Sequence, residues 1–314
     1  MPEQSFCDIL KIKLWNDLEA IAKSLCELHS LHYDANEEIS IRRWISYVAR
    51  LVEPKERFTY FSKGFWTRIP KECVPAIHLL AYKFEYGENI NSYQSKTIKL
   101  NNFSEKKGRR TDLLWADWNI HHFHLTTSTL NNKEGFSPRS EYLLFAYVGN
   151  DYVCFLDVKH HKDDNCFSDP IFIQQIIESW PQLAESKTIK GISTGDNLNA
   201  KEIAQFRKSG LLAPISLNGN VYMMGQGIST AGTPIEDIFL YDMLLSEIEI
   251  LSKELTAFLK RKNIQTAPEK ISLEIKDDGL NLIFSFDGSF GNIRSLHQEH
   301  INRFFNQLWL LKPN

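Results

Sequence analysis

Two runs of strand-forming residues, YLLFAYV at 142–148 and YVCFLDVKH at 152–160, are separated by only Gly149, Asn150 and Asp151. Aromatic and β-branched residues favour extended backbone, and a Gly-Asn pair between two such runs supplies a tight reversal. Just upstream, IHHFHLTT at 120–127 has the same character. The three runs predict an antiparallel β-meander at the centre of the chain. Alternation places Val153, Phe155, Asp157 and Lys159 on one face of the last strand, and Tyr152, Cys154, Leu156 and Val158 on the other. In the first strand His122 and His124 project together, opposite Phe123 and Leu125.

The flanks read as helices. Leu14, Leu18, Ile21, Leu25 and Leu28 recur at spacings of four and three, and Ile41, Trp44, Ile45, Val48 and Val52 likewise fall on one helical face, which predicts an N-terminal helical hairpin with a packing role. VPAIHLLAYKFEYG has a first-turn proline and Gly87 where a C-terminal cap belongs. The aromatic residues Phe58, Tyr60, Phe61, Phe65 and Trp66 are expected to fill a core edge. Asp169 and Pro170 open a helix with Ile173, Ile176, Ile177 and Trp180 on its buried side, and SLNGNVY reads as a hairpin. The glycines of GQGISTAGTPIED fit no phosphate-loop pattern, and Thr233 to Glu236 read as a capping box for a long helix reaching Lys262. ISLEIKDDGLNLIFSF reads as a further hairpin, and Ile301, Phe304, Phe305 and Leu308 as a closing helix. The expected class is α+β: N-terminal helices, a central antiparallel meander, then a long helix and β-hairpin. Its expected divisions are 1–56, 57–262 and 263–314.

With 314 residues of which 43% are hydrophobic, the chain has enough apolar material for real cores. No stretch approaches the roughly 18 apolar residues of a membrane span, and no leader pattern opens the sequence, so a cytoplasmic protein without a membrane partner is expected. Five scattered cysteines contain no C-x-x-C pair, which suits a reducing compartment and supports no thiolate zinc site. The net charge of −3 excludes non-specific coating of nucleic acid. One local stretch departs from this balance: residues 96–110 carry Lys96, Lys99, Lys106, Lys107, Arg109 and Arg110 against Glu105 alone.

Between Arg109 and Lys162 lie five of the ten histidines, His121, His122, His124, His160 and His161. Paired imidazoles on a strand face, a nearby guanidinium and a basic approach are the parts of metal-independent RNA cleavage. One group takes the 2′-hydroxyl proton, another protonates the departing 5′-oxygen, and cations stabilise charge on the phosphoryl oxygens. Histidine suits both proton steps because it titrates near neutrality. The candidate catalytic residues are His122, His124, Arg139 and His161. Arg109, Arg110, Lys159, His160 and Tyr147 are the candidate substrate contacts, and no cofactor or metal is required.

The run YLLFAYVGNDYVCFLDVKHHKD resembles the C-terminal meander of the bacterial RelE/ParE-like toxins, over about 60 residues. In that superfamily a hydrophobic strand, a tight turn and a second strand ending in a His or Arg cluster carry the ribonuclease residues. The resemblance implies cationic or acid–base roles for Arg139, Tyr147, His160 and His161, RNA as substrate, and a neutralising protein partner. That resemblance implies a ribonuclease of the toxin–antitoxin or phage-defence type; the overall layout is also similar to uncharacterised bacterial and prophage proteins with an HHFHL centre, a likeness that contributes no function of its own.

Two alternatives stand beside this. Asp157-x-Lys159 resembles the D/E-x-K half of metal-dependent restriction-type nucleases, with Asp112, Asp117 or Asp151 as the partner acid. The other is a non-enzymatic interaction or immunity protein whose histidines are structural. A zinc or manganese site built from His122, His124, His160 or His161 with Asp117 or Asp157 lacks any supporting spacing.

Overall fold

The computed structural model describes residues 5–31, 40–99, 112–128, 135–192, 197–211, 214–230, 233–276, 279–286, 289–293 and 305. In chain order these form α1 (Phe6–Leu28), α2 (Ser40–Val48), β1 (Phe58–Phe61), α3 (Phe65–Arg68), α4 (Val74–Glu85), α5 (Leu113–Trp118), β2 (Ile120–His124), β3 (Tyr142–Val148) and β4 (Tyr152–His160). There follow α6 (Ile171–Ser179), α7 (Pro181–Glu185), β5 (Thr188–Ile189), α8 (Ala200–Lys208), β6 (Ile215–Leu217), β7 (Asn220–Tyr222), α9 (Ile235–Arg261), β8 (Ile271–Lys276), β9 (Gly279–Phe286) and β10 (Ser289–Ile293). The fold is α+β. No helix among the described residues is long and apolar enough to cross a membrane.

The chain divides into two units, each assembled from separated stretches. The first comprises Met1–Ala49, Lys99–Asn101 and Asp237–Asn314. Its helix α1 buries Leu10, Leu14, Leu18, Ala22 and Leu25 and packs against α2 and β8; of the expected stripe Leu14, Leu18 and Leu25 are buried, while Ile21 is half-buried and Leu28 is exposed. Lys11 of α1 meets Glu249 of α9 at 2.8 Å, and the Asp17 carboxylate accepts the Leu273 N–H at 3.1 Å. Helix α1 therefore packs on β8, an edge strand of the β10-β9-β8 sheet, which follows it by more than 200 residues. Of the expected closing helix only Phe305, which is helical and buried, falls within the described residues.

The second unit, Arg50–Ile98 with Asn102–Glu236, is built on a four-stranded sheet in the order β1-β4-β3-β2. The predicted meander forms β2, β3 and β4, all antiparallel, and β1 adds to β4 in parallel. On one face Phe123, Leu144, Ala146, Val153 and Phe155 pack with α4 residues Ile77, Leu80 and Phe84. On the other, Ile120, Leu143, Phe145, Tyr147 and Cys154 pack with α6 residues Phe172, Ile173 and Ile176. Helix α4 ends in the predicted glycine cap: Gly87 has φ +66°, and Glu88 N–H reaches back to the Lys83 carbonyl at 2.8 Å. Asn218 and Gly219, both at positive φ, turn β6 into β7.

Two expectations fail here. The aromatic run after Phe58 is only partly core: Phe65 is buried, but Phe58 is 72% exposed and Tyr60 and Trp66 are exposed as well. Strict alternation along β4 also breaks. Ala146 pairs with Phe155 but Phe145 with Asp157, so Leu156 is an extra residue in a β-bulge. The Leu156 carbonyl accepts from Ser62 Oγ at 2.6 Å and from Arg68 at 3.3 Å. Beyond the bulge Asp157 and Lys159 lie opposite Phe145 and Leu143, on the Cys154 face and not with Val153 and Phe155.

Candidate functional site

Helix α5 begins at Asp112, whose carboxylate accepts the Leu114 and Trp115 N–H groups, each at 3.1 Å. It ends at Asn119, in the left-handed region at φ 55°, and the chain passes at once into β2. This compact return brings the two ends of the segment together. Asp112 Oδ2 lies 3.1 Å from His122 Nδ1, a close contact that falls short of an aligned hydrogen bond. Burial would raise the Asp112 carboxyl, but the charge and proximity of His122, the Trp115 N–H and the charge of Arg50 outweigh it and hold the group at about 2.

Cross-strand register sets the rest of this face in two rows. Asp157, Phe145 and His122 form one, and Lys159, Leu143 and His124 the next. His124 is 6% exposed, and its Nδ1 lies 3.4 Å from the Ser140 N–H, which assigns the ring proton to Nε2. Burial pushes its pKa down to about 4, with the charges of His122, His161 and Arg139 acting in the same direction. The His161 ring, exposed on the turn after β4, stands 6.4 Å from that of His124. Phe167 closes the group, with its ring 5.1 Å from His122, 5.8 Å from Phe145 and 6.3 Å from His161.

Three of the four candidate catalytic residues, His122, His124 and His161, are thus brought to one end of one sheet face, while Arg139 is exposed in the segment before β3, next to Ser140, with its charge acting on His124. The candidate substrate contacts separate. Lys159 shares the face but is engaged by Asp157 at 3.5 Å and Asp169 at 3.2 Å. His160 turns to the opposite face, where its ring meets Tyr142 edge-on at 5.3 Å and its Nδ1 accepts the Lys162 N–H. Tyr147 lies at the far end of β3, buried, with its ring 6.4 Å from Tyr152, and burial raises its phenol. Arg109 and Arg110 lie outside the described residues. His121 faces away with Phe123, and burial, reinforced by His122 and Arg57 against Asp112, lowers it to about 4.

Behind the pair is a recess of about 20 Å³, room for roughly one water, between Asp112, His121, His122, Arg50 and Gln94. A larger open groove of about 710 Å³, lined by residues from Ile177 to Tyr222, carries none of these histidines. Among the described residues no three His, Cys, Asp or Glu side chains are grouped to hold a metal ion. Asp157, the acid of the D-x-K reading, is flanked by Arg68 at 3.6 Å and Lys159 at 3.5 Å.

Sequence reasoning weighed Asp112 only as a metal-side acid and passed over Phe167 and Ser140 altogether. The helix-capping position of Asp112 ten residues before His122 was the available signal for the first. Phe167 and Ser140 meet the histidines only through the fold. No family model, curated protein or solved structure matches this chain.

Proposed function

We propose that this protein is a metal-independent ribonuclease of the toxin or phage-defence type, acting through the histidines at the end of the β2–β3–β4 face. The observation that carries the reading is the Asp112–His122 contact of 3.1 Å, set beside His124, His161 and Arg139. With Nδ1 turned to a carboxylate, His122 has Nε2 free to take the 2′-hydroxyl proton, and Asp112 stabilises the imidazolium that forms. The 2′-oxygen then attacks phosphorus, and the 5′-oxygen departs with a proton from His161. His124, kept neutral by burial, offers an Nε2–H to a phosphoryl oxygen, and Arg139 supplies the positive charge. The resemblance of the meander to RelE/ParE-like toxins supports the same chemistry.

The bulge gives the metal-dependent alternative one favourable observation, since it turns Asp157 and Lys159 onto the histidine face. The two cations on Asp157 weigh against it, because they already satisfy the charge a magnesium ion would need.

The test is incubation of the purified protein with end-labelled RNA in excess chelator. The expected products carry 2′,3′-cyclic phosphate and 5′-hydroxyl ends, and His122→Ala slows cleavage by about 100-fold or more. Growth arrest on expression in a bacterial host, relieved by the His122→Ala/His124→Ala double variant, is the cellular counterpart. Absence of cleavage, cleavage that chelator abolishes, or an undiminished rate in His122→Ala refutes the proposal.

A further inference from the structure

Arg207 of α8 is buried, yet it reaches toward the histidine cluster through two separate elements. Its Nε donates to Asp117 Oδ2 of α5 at 2.7 Å, and its guanidinium lies 4.0 Å over the Trp118 ring of the same helix. Its Nη1 donates to the Phe167 carbonyl at 2.6 Å and lies 3.3 Å from Ser168 Oγ. Helix α5 carries Asp112 at its start, and Phe167 carries the ring that lies against His122 and His161. A single planar cation therefore ties the element that presents the carboxylate of the dyad to the element that presents its aromatic wall.

An ion pair that served stability alone would need only the carboxylate. Removing a guanidinium and a carboxylate from water carries a desolvation cost that an apolar pair would avoid. The two extra acceptors on a second segment, and the ring beneath, use the fork of donors that distinguishes arginine from lysine. Gly225 shows how closely α5 is held: a Cβ there would lie 2.5 Å from the Asp117 carbonyl oxygen.

We propose that Arg207 is a positioning residue, clamping α5 to the Phe167 turn so that Asp112 and Phe167 hold His122 and His161 in working register. The role in turnover rests on the ribonuclease reading; the positioning itself does not. The experiment uses full-length protein with ¹³C-labelled histidines. Arg207→Lys keeps a cation for Asp117 but loses the fork to Phe167 and Ser168. It is expected to stay folded by circular dichroism while shifting the His122 and His161 ring resonances, with His160 and His78 unmoved. Cleavage by Arg207→Lys should fall about 10-fold in kcat with KM little changed. Phe167→Leu should shift the same two histidines with Arg207 intact, and the double variant should be no worse than the poorer single one, since coupled residues are not additive. If Arg207→Lys does not fold, Asp117→Asn, which keeps an acceptor for Nε, is measured in its place with the same expectation.

Unmoved His122 and His161 resonances in the folded variant, or effects that add across the pair, overturn the clamp. A wild-type protein that leaves RNA intact overturns the ribonuclease reading, and the resonance measurements then decide the clamp by themselves.

Discussion

Acid should unfold the central sheet in a window that two histidines define. His121 and His124 lie on opposite faces of β2, are 7% and 6% exposed, and are both held at about 4 against an ordinary 6.5, chiefly by burial. Because both native values lie below those of the unfolded chain, the unfolded state takes up protons first as pH falls. The stability from burying neutral rings is complete above about pH 6.5 and is lost progressively toward pH 4. At 1.36 kcal/mol per tenfold change, each site corresponds to about 3 kcal/mol and the two together to roughly 7 kcal/mol. That is a large share of the 5–15 kcal/mol that holds an ordinary domain. Asp112, held at about 2, acts in a different window: its contribution is lost only as pH falls from the usual carboxylate range toward 2. The assay is urea denaturation at half-unit steps from pH 7.5 to 4.5, read by amide exchange in the peptide spanning 142–160. Stability should fall by about 3 kcal/mol between pH 6.5 and 5, with a slope near two protons. His124→Asn, which leaves an acceptor for the Ser140 N–H, should reduce the slope to one. A loss below about 1 kcal/mol over that interval, or an unchanged slope in the variant, would show that the rings are hydrated and the reasoning wrong.

Three further expectations follow from local geometry. Gly225→Ala should destabilise the second unit by about 1–3 kcal/mol in urea melts, because its methyl meets backbone that cannot yield. Asn199→Ala should cost about 1 kcal/mol, since it removes the side-chain oxygen of the α8 capping box that accepts the Lys201 and Glu202 N–H groups, and Asn199→Ser should restore most of it. Cys154, pushed up to about 12 by burial, and Cys73 and Cys166, pushed to about 11 by the same cause, should resist a thiol reagent until unfolding, while the half-buried Cys7 is labelled first.

Local rules made much of the fold legible. Spacings of three and four located α1 and α9, Gly87 marked the end of α4, and Asn218-Gly219 marked the β6–β7 turn, because each signal acts within a few residues. The meander was readable for the same reason. The short strand β1 was not: four aromatic and hydroxyl residues, half of them facing solvent, give no period to detect. Alternation failed on β4 because it counts residues and has no means of seeing one that the ladder leaves out. At the site, the shared face of His122 and His124 was legible from parity alone. Their partners were not, since Ser140 meets His124 across a strand pair and Arg207 reaches Asp117 from 90 residues away.

The bulge at Leu156 makes β4 two half-strands in opposite phase, joined at a latch. Up to Phe155 odd-numbered residues face α4, and after it odd-numbered residues face α6. Ser62 and Arg68 occupy the carbonyl that the slip sets free, so the reset is held from the residue after β1 and from α3 and not from the strand itself. Which layer receives Asp157 and Lys159 is thus decided by a hydroxyl and a guanidinium nearly a hundred residues upstream. A variant chain that lost Leu156 would restore an unbroken ladder and still deliver the same polar end to the histidine layer, whereas one that lost Phe155 and kept the latch would have to choose which of the two phases to abandon.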